Sequence, residues 1–332
     1  MARSLILAGD IGGTKTNLAL YSVRGEKLRS EAFQTYPSKR YSGLIPVLQE
    51  FLGANPQPID AATFGIAGPV VDGKVKTPNL PWLIDTAEVR QALKLEPVTL
   101  LNDLEATAYG IFTLEDDEFH PLNEGTMRRS GNKALIAAGT GLGQAILYDD
   151  GRRFRPIASE GGHADFAARN EVEIELLRYL IGRFGRVSYE RVLSGPGLFN
   201  IYRFFKEAGG MEEPGWLAER LAASDDVSAT ITQCALAQEA EICVKTLDLF
   251  VSVYGAEAGN LALRAKAVRG LYVGGGIAPK ILPKLKDGTF MRAFTDKGRY
   301  AELVAAIPVQ IVLNDQAALR GAAYHAAFLS GE

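Results

Sequence analysis

The order of apolar and polar positions predicts an α/β protein, in which short buried strands alternate with amphipathic helices. Short apolar runs, often closed by Gly, Pro or Asn, predict strands at residues 4–8, 17–23, 27–36, 61–67, 98–101, 134–138, 144–148, 270–273 and 309–313. Apolar residues at helical spacing predict helices at residues 44–52, 86–93, 106–112 and 317–329, and through most of residues 171–265. The first two strands are expected to form a hairpin, and the acidic stretch at 115–118 a loop.

The same plan occurs twice along the chain. Residues 5–21 and 134–150 each contain an apolar strand, a turn rich in Gly or Thr, and a second apolar strand. A weaker echo relates residues 98–110 to 309–321, where a strand, an Asn-Asp pair and an Ala-rich helix follow one another. Such internal repeats indicate two similar halves, and we expect two lobes that hold one ligand between them.

The second echo predicts that the chain returns to its first half at the end. We therefore expect a discontinuous small α/β domain, residues 1–113 plus 314–332, and a large α+β domain, residues 114–313. A chain of 332 residues has the length of about two domains.

Composition and charge narrow the functional classes. The chain is 47% hydrophobic and 23% charged, with a net charge of −3, so nothing would attract a polyanion and no nucleic-acid partner is expected. Two cysteines, Cys234 and Cys243, cannot build a disulfide framework or a four-ligand zinc site, and we expect both to be buried. No apolar run reaches the ~18 residues of a membrane span, and residues 1–7 lack the features of a secretory signal. A cytoplasmic protein with no membrane partner is predicted.

Three glycine-rich turns stand at the ends of predicted strands. They are Gly9-Asp10-Ile11-Gly12-Gly13-Thr14, Gly139-Thr140-Gly141 and Gly274-Gly275-Gly276. A strand follows each of the first two, whereas a Walker P-loop or a Rossmann fingerprint would be followed by a helix. Glycine N–H groups can approach phosphate oxygens closely, so we predict that the turns bind a nucleotide. The structural alternative is that the glycines only supply positive φ angles.

Together these motifs resemble the actin, hexokinase and sugar-kinase superfamily, and more narrowly the bacterial glucokinases of the non-ROK type. The similar segments run in family order from residue 9 to residue 321 and are GDIGGTKTNLALY, NLPW, LLNDLEATAYG, AAGTGLGQA, EGGHADFA, ERVLSGPGL, YVGGGIAP, FTDKGRY and the closing Asn-Asp-helix unit. ROK sugar kinases fit less well, because they carry a Cys-rich zinc motif that this chain lacks. The resemblance implies a two-lobed, ribonuclease H-like fold with the active site in the interlobe cleft, ATP as phosphoryl donor and glucose as substrate.

The resemblance also implies roles for five polar residues. Asn102 and Asp103 would hold the hydroxyl that reacts, with Asp103 as the general base. Glu160, His163 and Glu190 would hold the sugar ring near its anomeric carbon. Phosphoryl transfer needs positioning, charge stabilisation and one proton acceptor, and an ordinary carboxylate can be that acceptor.

Several of these residues have a structural alternative. Asn102 or Asp103 could be an N-cap, because a helix follows them. Asp315 could be the base by the same local logic, but the resemblance favours Asp103 and leaves Asp315 as a cap of the last helix. Glu190 could be a surface charge at a helix start, and a lone histidine such as His163 is often structural.

Ligands and rival functions follow from the same residues. Asp10, at a strand end, could hold Mg²⁺ directly or through water, while no His and Cys constellation suggests a transition metal. Family members are commonly dimers, so a homodimer is expected. The rivals are a kinase for another hexose or an amino sugar, a non-catalytic sugar sensor, and an actin-like filament or chaperone ATPase. An intact Asp103 argues against the sensor, and the Glu/His sugar loop argues against the last class.

Overall fold

The computed structural model describes residues 4–25, 27–78, 80–126 and 128–329, so Asn79 of the NLPW motif lies outside the described residues. The strands are β1 (Ser4–Ile11), β2 (Lys15–Arg24), β3 (Lys27–Pro37), β4 (Ala61–Ile66), β5 (Lys74–Lys76), β6 (Leu83–Asp85), β7 (Val98–Asn102), β8 (Phe119–Asn123), β9 (Lys133–Ala138), β10 (Leu142–Asp149), β11 (Phe154–Ser159), β12 (Leu271–Gly274) and β13 (Val309–Val312). The α-helices are α1 (Leu44–Ala54), α2 (Thr86–Leu93), α3 (Asp103–Gly110), α4 (Glu171–Phe184), α5 (Gly195–Glu207), α6 (Gly215–Ala222), α7 (Val227–Leu236), α8 (Glu241–Ala265), α9 (Leu282–Leu285), α10 (Thr289–Thr295), α11 (Ala301–Ala305) and α12 (Ala317–Phe328).

The chain divides into two compact units. The first unit is Met1–Asp116 with Asn314–Glu332, and the second unit is Asp117–Leu313. Each unit is built on its own mixed sheet. The domains expected from the sequence, with their junction after residue 113, stay a prediction.

The sheet of the first unit has the strand order β3-β2-β1-β4-β7. The predicted β1–β2 hairpin is antiparallel, whereas β1, β4 and β7 run parallel to one another. Asp10 pairs with Asn17 on one side and with Gly65 on the other, and Ile66 pairs with Asn102. The carboxyl ends of β1, β4 and β7 therefore meet at one edge of the sheet.

The sheet of the second unit repeats this plan. Its strand order is β11-β10-β9-β12-β13-β8, with antiparallel pairs β11–β10 and β10–β9 and parallel pairs β9–β12 and β12–β13. Strand β8 adds to the edge, antiparallel to β13. The internal repeat predicted from the sequence is confirmed, because the first five strands of each sheet follow the same order and directions.

The core of the first unit lies on both faces of its sheet, as the alternation along β1 requires. Leu5 and Leu7 pack with α1 on one face. Ala8, together with Ala19 of β2, packs with Ala322 of α12 on the other face. The last helix therefore belongs to the core of the first unit.

Helices α3 and α12 approach each other through small residues. A Cβ atom on Gly110 would overlap the carbonyl oxygen of Ala317, and one on Gly321 would overlap the carbonyl oxygen of Ala106. Any side chain at either glycine would push the helices apart, so close packing fixes Gly at both positions.

The second unit is organised around α8, a helix of 25 residues that is buried along most of its length. Its Gly255 and Gly259 lie against the backbone of α10 at Phe290 and Phe294. Cys234 and Cys243 are fully buried in this core, as predicted. No helix in the described part of the chain is long and apolar enough to cross a membrane.

Some element boundaries differ from the sequence predictions. The helix expected from residue 106 begins at Asp103, because the Asn102 side chain caps it. Residues 116–118, within the expected acidic loop, form a short 3-10 helix. Strands β5, β6, β8 and β11 were not expected, because they are short and rich in exposed or polar positions.

Candidate active site

The first glycine turn joins β1 to β2 and is closed by its own backbone. Gly12 N donates to Lys15 O at 2.9 Å, and the Ser38 hydroxyl donates to Gly12 O at 2.8 Å. The Gly12 amide is therefore used within the turn. Gly13 and the exposed Thr14, at the tip, are the positions that can offer N–H groups to a phosphate.

Two further positions of this segment lie inside the fold. Gly9 is buried, and a Cβ atom there would lie 2.5 Å from Phe64 Cδ1. Ile11 is 1% exposed. Both could reach a nucleotide only through their backbone atoms, so packing alone accounts for the choice of Gly9.

The surroundings of Asp10 disfavour the charged form of its carboxyl group. Burial raises its pKa to about 6, against a hydrogen bond from Asn17 Nδ2 that lowers the pKa, and the nearby charge of Asp315 raises it again. The Asn17 Nδ2 to Asp10 Oδ2 distance is 3.2 Å. Among the described residues no Lys or Arg forms an ion pair with Asp10. Two neighbouring carboxylates without a cation suit a divalent metal ion.

The second glycine turn joins β9 to β10. Gly139 N donates to Gly141 O at 2.8 Å, and Gly195 N donates to Gly139 O at 2.8 Å. A Cβ atom on Gly139 would meet nothing within 4 Å, whereas one on Gly141 would lie 2.5 Å from Glu190 Oε2. Neither glycine has a left-handed φ, so a positive φ does not explain them. Thr140 is exposed at the tip.

The third turn follows β12 and contains glycines of two kinds. Gly275 has a φ of 82°, and a Cβ atom there would overlap the backbone of Ala138. Gly276 is exposed, has no left-handed φ and has open space around its Cβ position. Gly274 is the buried end of the strand. The structural alternative therefore holds for Gly275, while Gly276 leaves its backbone open to a ligand.

Tyr254 of α8 links the second and third turns, and the sequence did not single it out. Its hydroxyl oxygen accepts a hydrogen bond from Ala138 N at 3.1 Å and lies 3.4 Å from Gly274 O. Burial raises the pKa of this phenol, so it stays protonated. The hydroxyl sits where β9 and β12 separate into their glycine turns. A tyrosine within a buried helix gave no signal of this contact.

Asn102 and Asp103 stand at the junction of β7 and α3. Asn102 Oδ1 accepts from Leu104 N at 2.9 Å, and Asn102 Nδ2 donates to Gly68 O at 3.1 Å. Asp103 Oδ1 also accepts from Leu104 N at 2.9 Å. The N-cap alternative is thus correct for Asn102. Asp103 is the first residue of the helix, partly exposed at the same sheet edge as Asp10.

The echo of this pair behaves differently. Asn314 Oδ1 accepts from Gln316 N at 2.7 Å, and α12 begins only at Ala317, after Gln316, which makes no side-chain cap bond. The expectation that Asp315 caps the last helix is therefore wrong, because the helix starts further along the chain. Asp315 is exposed, and its charge acts on Asp10.

Residues 160–163 follow β11 and are here called the sugar loop, after the role that the sequence resemblance implies for Glu160 and His163. His163 N donates to Glu160 O at 2.9 Å, and Arg186 Nη2 donates to His163 O at 2.5 Å. A Cβ atom on Gly162 would overlap Leu142 O, so the loop lies directly on β10. The side chains of Glu160 and His163 are exposed on a backbone that is held at both ends.

Glu190 lies in a short 3-10 helix, Tyr189–Arg191, beside this loop. Its Oε2 accepts from Leu142 N at 2.9 Å, next to the second glycine turn. Tyr189 N donates to Ala164 O at 2.9 Å and ties the segment to the sugar loop. Glu190 is therefore a partly buried, hydrogen-bonded carboxylate, and a solvated surface charge does not describe it. The second unit brings Glu160, His163, Glu190 and the Gly139 turn into one neighbourhood.

In the part of the chain that the structure describes, no group of three or more His, Cys, Asp and Glu side chains is arranged to hold a metal ion. Mg²⁺ usually keeps several waters and is bound through one or two carboxylates together with substrate phosphates, so a single carboxylate such as Asp10 fits that mode of binding.

Known proteins resemble this chain over its whole length. A model of the glucokinase family matches residues 7–328. The glucokinase of Nostoc punctiforme is 42% identical over 98% of this chain and 100% of its own. The crystal structure of a glucokinase from an Antarctic psychrotroph has a TM-score of 0.84 and 31% identity, covering 98% of this chain and 99% of the other. That of a ROK-family glucokinase from Streptomyces griseus, in complex with glucose and AMPPNP, has a TM-score of 0.66 and 21% identity, covering 98% and 99%.

The sequence prediction of the α/β fold shared by the hexokinase-like sugar kinases is confirmed by these neighbours. The predicted family is confirmed by the full-length matches. The chain therefore belongs to the glucokinase family and is a sugar kinase.

Proposed function

We propose that the protein transfers the γ-phosphoryl group of ATP to glucose, giving glucose 6-phosphate, and that Asp103 is the general base. The observation that carries the reaction is the similarity to glucokinases along the entire chain. The position of Asp103 supports its role, because it opens α3 at the carboxyl edge of the sheet that also carries Asp10.

The proposed chemistry asks little of the protein beyond positioning. Asp103 accepts the proton of the sugar hydroxyl as that oxygen attacks the γ-phosphorus, and ADP leaves. Asn102 fixes the start of α3, since its amide is bonded at both ends, to Leu104 N and Gly68 O. A carboxylate that is held on a rigid helix end can meet the hydroxyl in one orientation.

The sugar ring is proposed to bind Glu160, His163 and Glu190. Carboxylate oxygens accept hydrogen bonds from sugar hydroxyls, and the imidazole can donate or accept. Glu160 and His163 are exposed while their backbone is tethered, and Glu190 is oriented by Leu142 N. These features support a preformed site that discriminates sugars at the anomeric end.

ATP is proposed to bind the three glycine turns. Gly13 and Thr14 in the first turn and Thr140 in the second lie at exposed tips, where N–H and hydroxyl groups can meet phosphate oxygens. Gly276 in the third turn has the open backbone that the adenosine would need. Gly9, Ile11 and Gly274 belong to the same segments but are buried at the ends of the strands that lead into the turns.

Mg²⁺ is proposed to accompany ATP near Asp10. The raised pKa of Asp10 and the neighbouring Asp315 fit a site that favours a cation. When bound, the ion would neutralise charge on the phosphates. A homodimer, a cytoplasmic location and the domains 1–113 plus 314–332 and 114–313 complete the proposal.

A coupled assay of ADP release tests the proposal. Glucose, mannose, fructose, glucosamine and N-acetylglucosamine are each offered with ATP, ADP or polyphosphate as donor. We expect the highest kcat/KM with glucose and ATP. Turnover of an amino sugar in preference to glucose would make the protein a kinase of the rival substrate class. Sugar binding by calorimetry without any phosphoryl transfer would make it a sensor.

A further inference from the structure

Helix α8 buries a carboxylate that has no part in the proposed chemistry. Glu257 is completely inaccessible to solvent. Its Oε1 accepts from Gln144 Nε2 at 2.8 Å, its Oε2 accepts from Asn260 Nδ2 at 3.0 Å, and Arg264 reaches in from the surface to form an ion pair. A buried carboxylate is unfavourable unless all its neighbours are arranged as donors. Such a group holds each donor in a fixed orientation.

One of these donors leads to the sugar loop. Gln144 lies on β10 and is 1% exposed. With its Nε2 directed at Glu257, its Oε1 lies against Gly161, so closely that a Cβ atom on Gly161 would overlap it. Gly161 stands between Glu160 and His163 in the chain. The Gln144 amide therefore packs against the backbone of the loop at Gly161, between the two residues whose side chains are exposed.

A second donor leads to Glu190. The hydroxyl of Tyr189 accepts from Asn260 Nδ2 at 3.2 Å, and the same Asn260 amide donates to Glu257 Oε2 at 3.0 Å. Burial, followed by the charge of Glu257, raises the pKa of Tyr189 to about 12, so the phenol is protonated. Tyr189 precedes Glu190 in the same short helix, and its backbone holds Ala164 at the end of the sugar loop.

We propose that Glu257 is a positioning residue for the sugar contacts. One carboxylate fixes Gln144 beneath the sugar loop and, through Asn260, Tyr189 beside Glu190, and so sets the spacing of the groups that meet the anomeric end of the sugar. The inference rests on the proposed role of the sugar loop and Glu190 in glucose binding. Glu257 itself touches neither substrate nor nucleotide turn.

The test is Glu257→Gln. This change keeps the shape of the side chain but replaces one carboxylate oxygen by an NH₂ group, which cannot accept hydrogen bonds from Gln144, Asn260 or Arg264. Hydrogen bonds to a charged group are lost, so we expect KM for glucose to rise about 10- to 100-fold. KM for ATP should stay within about twofold, because the contacts of the glycine turns are untouched. Steady-state kinetics, with thermal unfolding to confirm the fold, give both values.

Two comparisons separate positioning from general damage. Tyr254→Phe is the matched control: it also removes a buried polar group from α8, but one that contacts the glycine turns, so KM for ATP should rise and KM for glucose should not. The second comparison uses 1,5-anhydro-D-glucitol, which lacks the anomeric hydroxyl. The loss of kcat/KM caused by Glu257→Gln should be much smaller with this substrate than with glucose.

The outcomes decide between the hypotheses. A folded Glu257→Gln protein with unchanged KM for glucose, or with equal losses for both sugars, overturns the positioning role. If that variant does not fold, Tyr189→Phe decides, since it removes only the hydroxyl and keeps the ring against Phe166: a rise in glucose KM alone supports the proposal and no change overturns it. A wild-type protein that neither binds nor phosphorylates any hexose overturns the proposed function instead.

Discussion

The two copies of the repeat share a strand order but differ at their functional positions. The first hairpin carries Asp10 next to the end of its first strand, and the corresponding position in the sequence repeat of the second hairpin is Gly139. After the third parallel strand, Asn102 caps a helix that starts at once, whereas Asn314 is followed by a turn and a later helix start. The same local sequence thus places one aspartate on a helix and the other in an exposed turn.

This difference shows that the repeated sequence determines the strand order, whereas the residues that surround each Asn-Asp pair determine how its aspartate is held. Asp103 is held by a cap that is itself bonded to Gly68 of the adjoining segment. Asp315 lies in an exposed turn, and its negative charge raises the pKa of Asp10. On our proposal, the aspartate of the first Asn-Asp pair accepts the proton of the sugar, whereas that of the second pair only adds negative charge near Asp10.

The largest effect is expected when the aspartate of each Asn-Asp pair is replaced in turn by asparagine. Asp103→Asn keeps the shape but removes the proton acceptor, so kcat should fall by about 10²–10⁴ while glucose affinity changes far less. Asp315→Asn is the matched control in the other copy of the pair and should retain most of the turnover. Stopped-flow or steady-state rates with calorimetric glucose binding check both. Loss of turnover in a folded Asp315→Asn protein, with an active Asp103→Asn protein, would reverse the assignment.

Asp10→Asn tests whether the carboxylate at the turn of the first hairpin binds the metal ion that accompanies ATP. If Asp10 contacts the metal of MgATP, turnover should fall by about 10²-fold, because a metal contact contributes several kcal/mol.

The same variant should gain stability in a pH-dependent way when no nucleotide is present. The folded pKa of Asp10 is about 6, above its ordinary 3.8, so wild-type stability declines as the pH rises through this range. Asp10→Asn should therefore have a higher Tm than wild type at pH 8 and an equal Tm below pH 4. Equal melting temperatures of the two proteins at pH 8 would contradict the destabilisation that we ascribe to the buried, charged carboxylate of Asp10.

The smallest effect concerns Gly139. Alanine fits there without a close contact or a left-handed φ, so Gly139→Ala should have the Tm of the wild type. If a phosphate approaches this backbone, KM for ATP should nevertheless rise, by about tenfold for the loss of one hydrogen bond to a charged group. Gly275→Ala is the contrasting variant, because its φ of 82° and the Ala138 backbone make it destabilising whatever binds. An unchanged KM in Gly139→Ala would remove the second turn from the phosphate site.

Much of the fold could be predicted because its signals are local. Apolar runs closed by glycine gave β1, β2, β9 and β12, and the repeated hairpin gave the relation between the two sheets. Strand β11 was missed, since Arg155 and Pro156 interrupt its apolar pattern. The start of α3 was predicted three residues too late, because the helix was placed from Ala106 even though Asn102 had been considered as a possible cap.

The candidate site was predictable only where residue types are unusual for their position. His163 stands out in its glycine-rich loop, whereas the roles of Asn102 and Asp103 came from the resemblance to the sugar kinases. Tyr254 and Glu257 do not stand out, because they occur in a long helix whose pattern explains a tyrosine or a glutamate equally well. Their roles depend on partners far away in the chain: Gln144 is 113 positions from Glu257. Such contacts exist only after the tertiary fold is known.

The last helix has a consequence for the order in which the protein can be made. Helix α12 covers the face of the first sheet that carries Ala8 and Ala19, and its Gly321 meets α3 at backbone distance. A ribosome that has delivered the first 116 residues has therefore supplied a sheet with one apolar face uncovered. That face waits for about two hundred further residues before its own covering helix emerges. During this interval the uncovered face of the nascent first unit is open to chaperones, proteases and self-association, although the same face is buried in the finished unit.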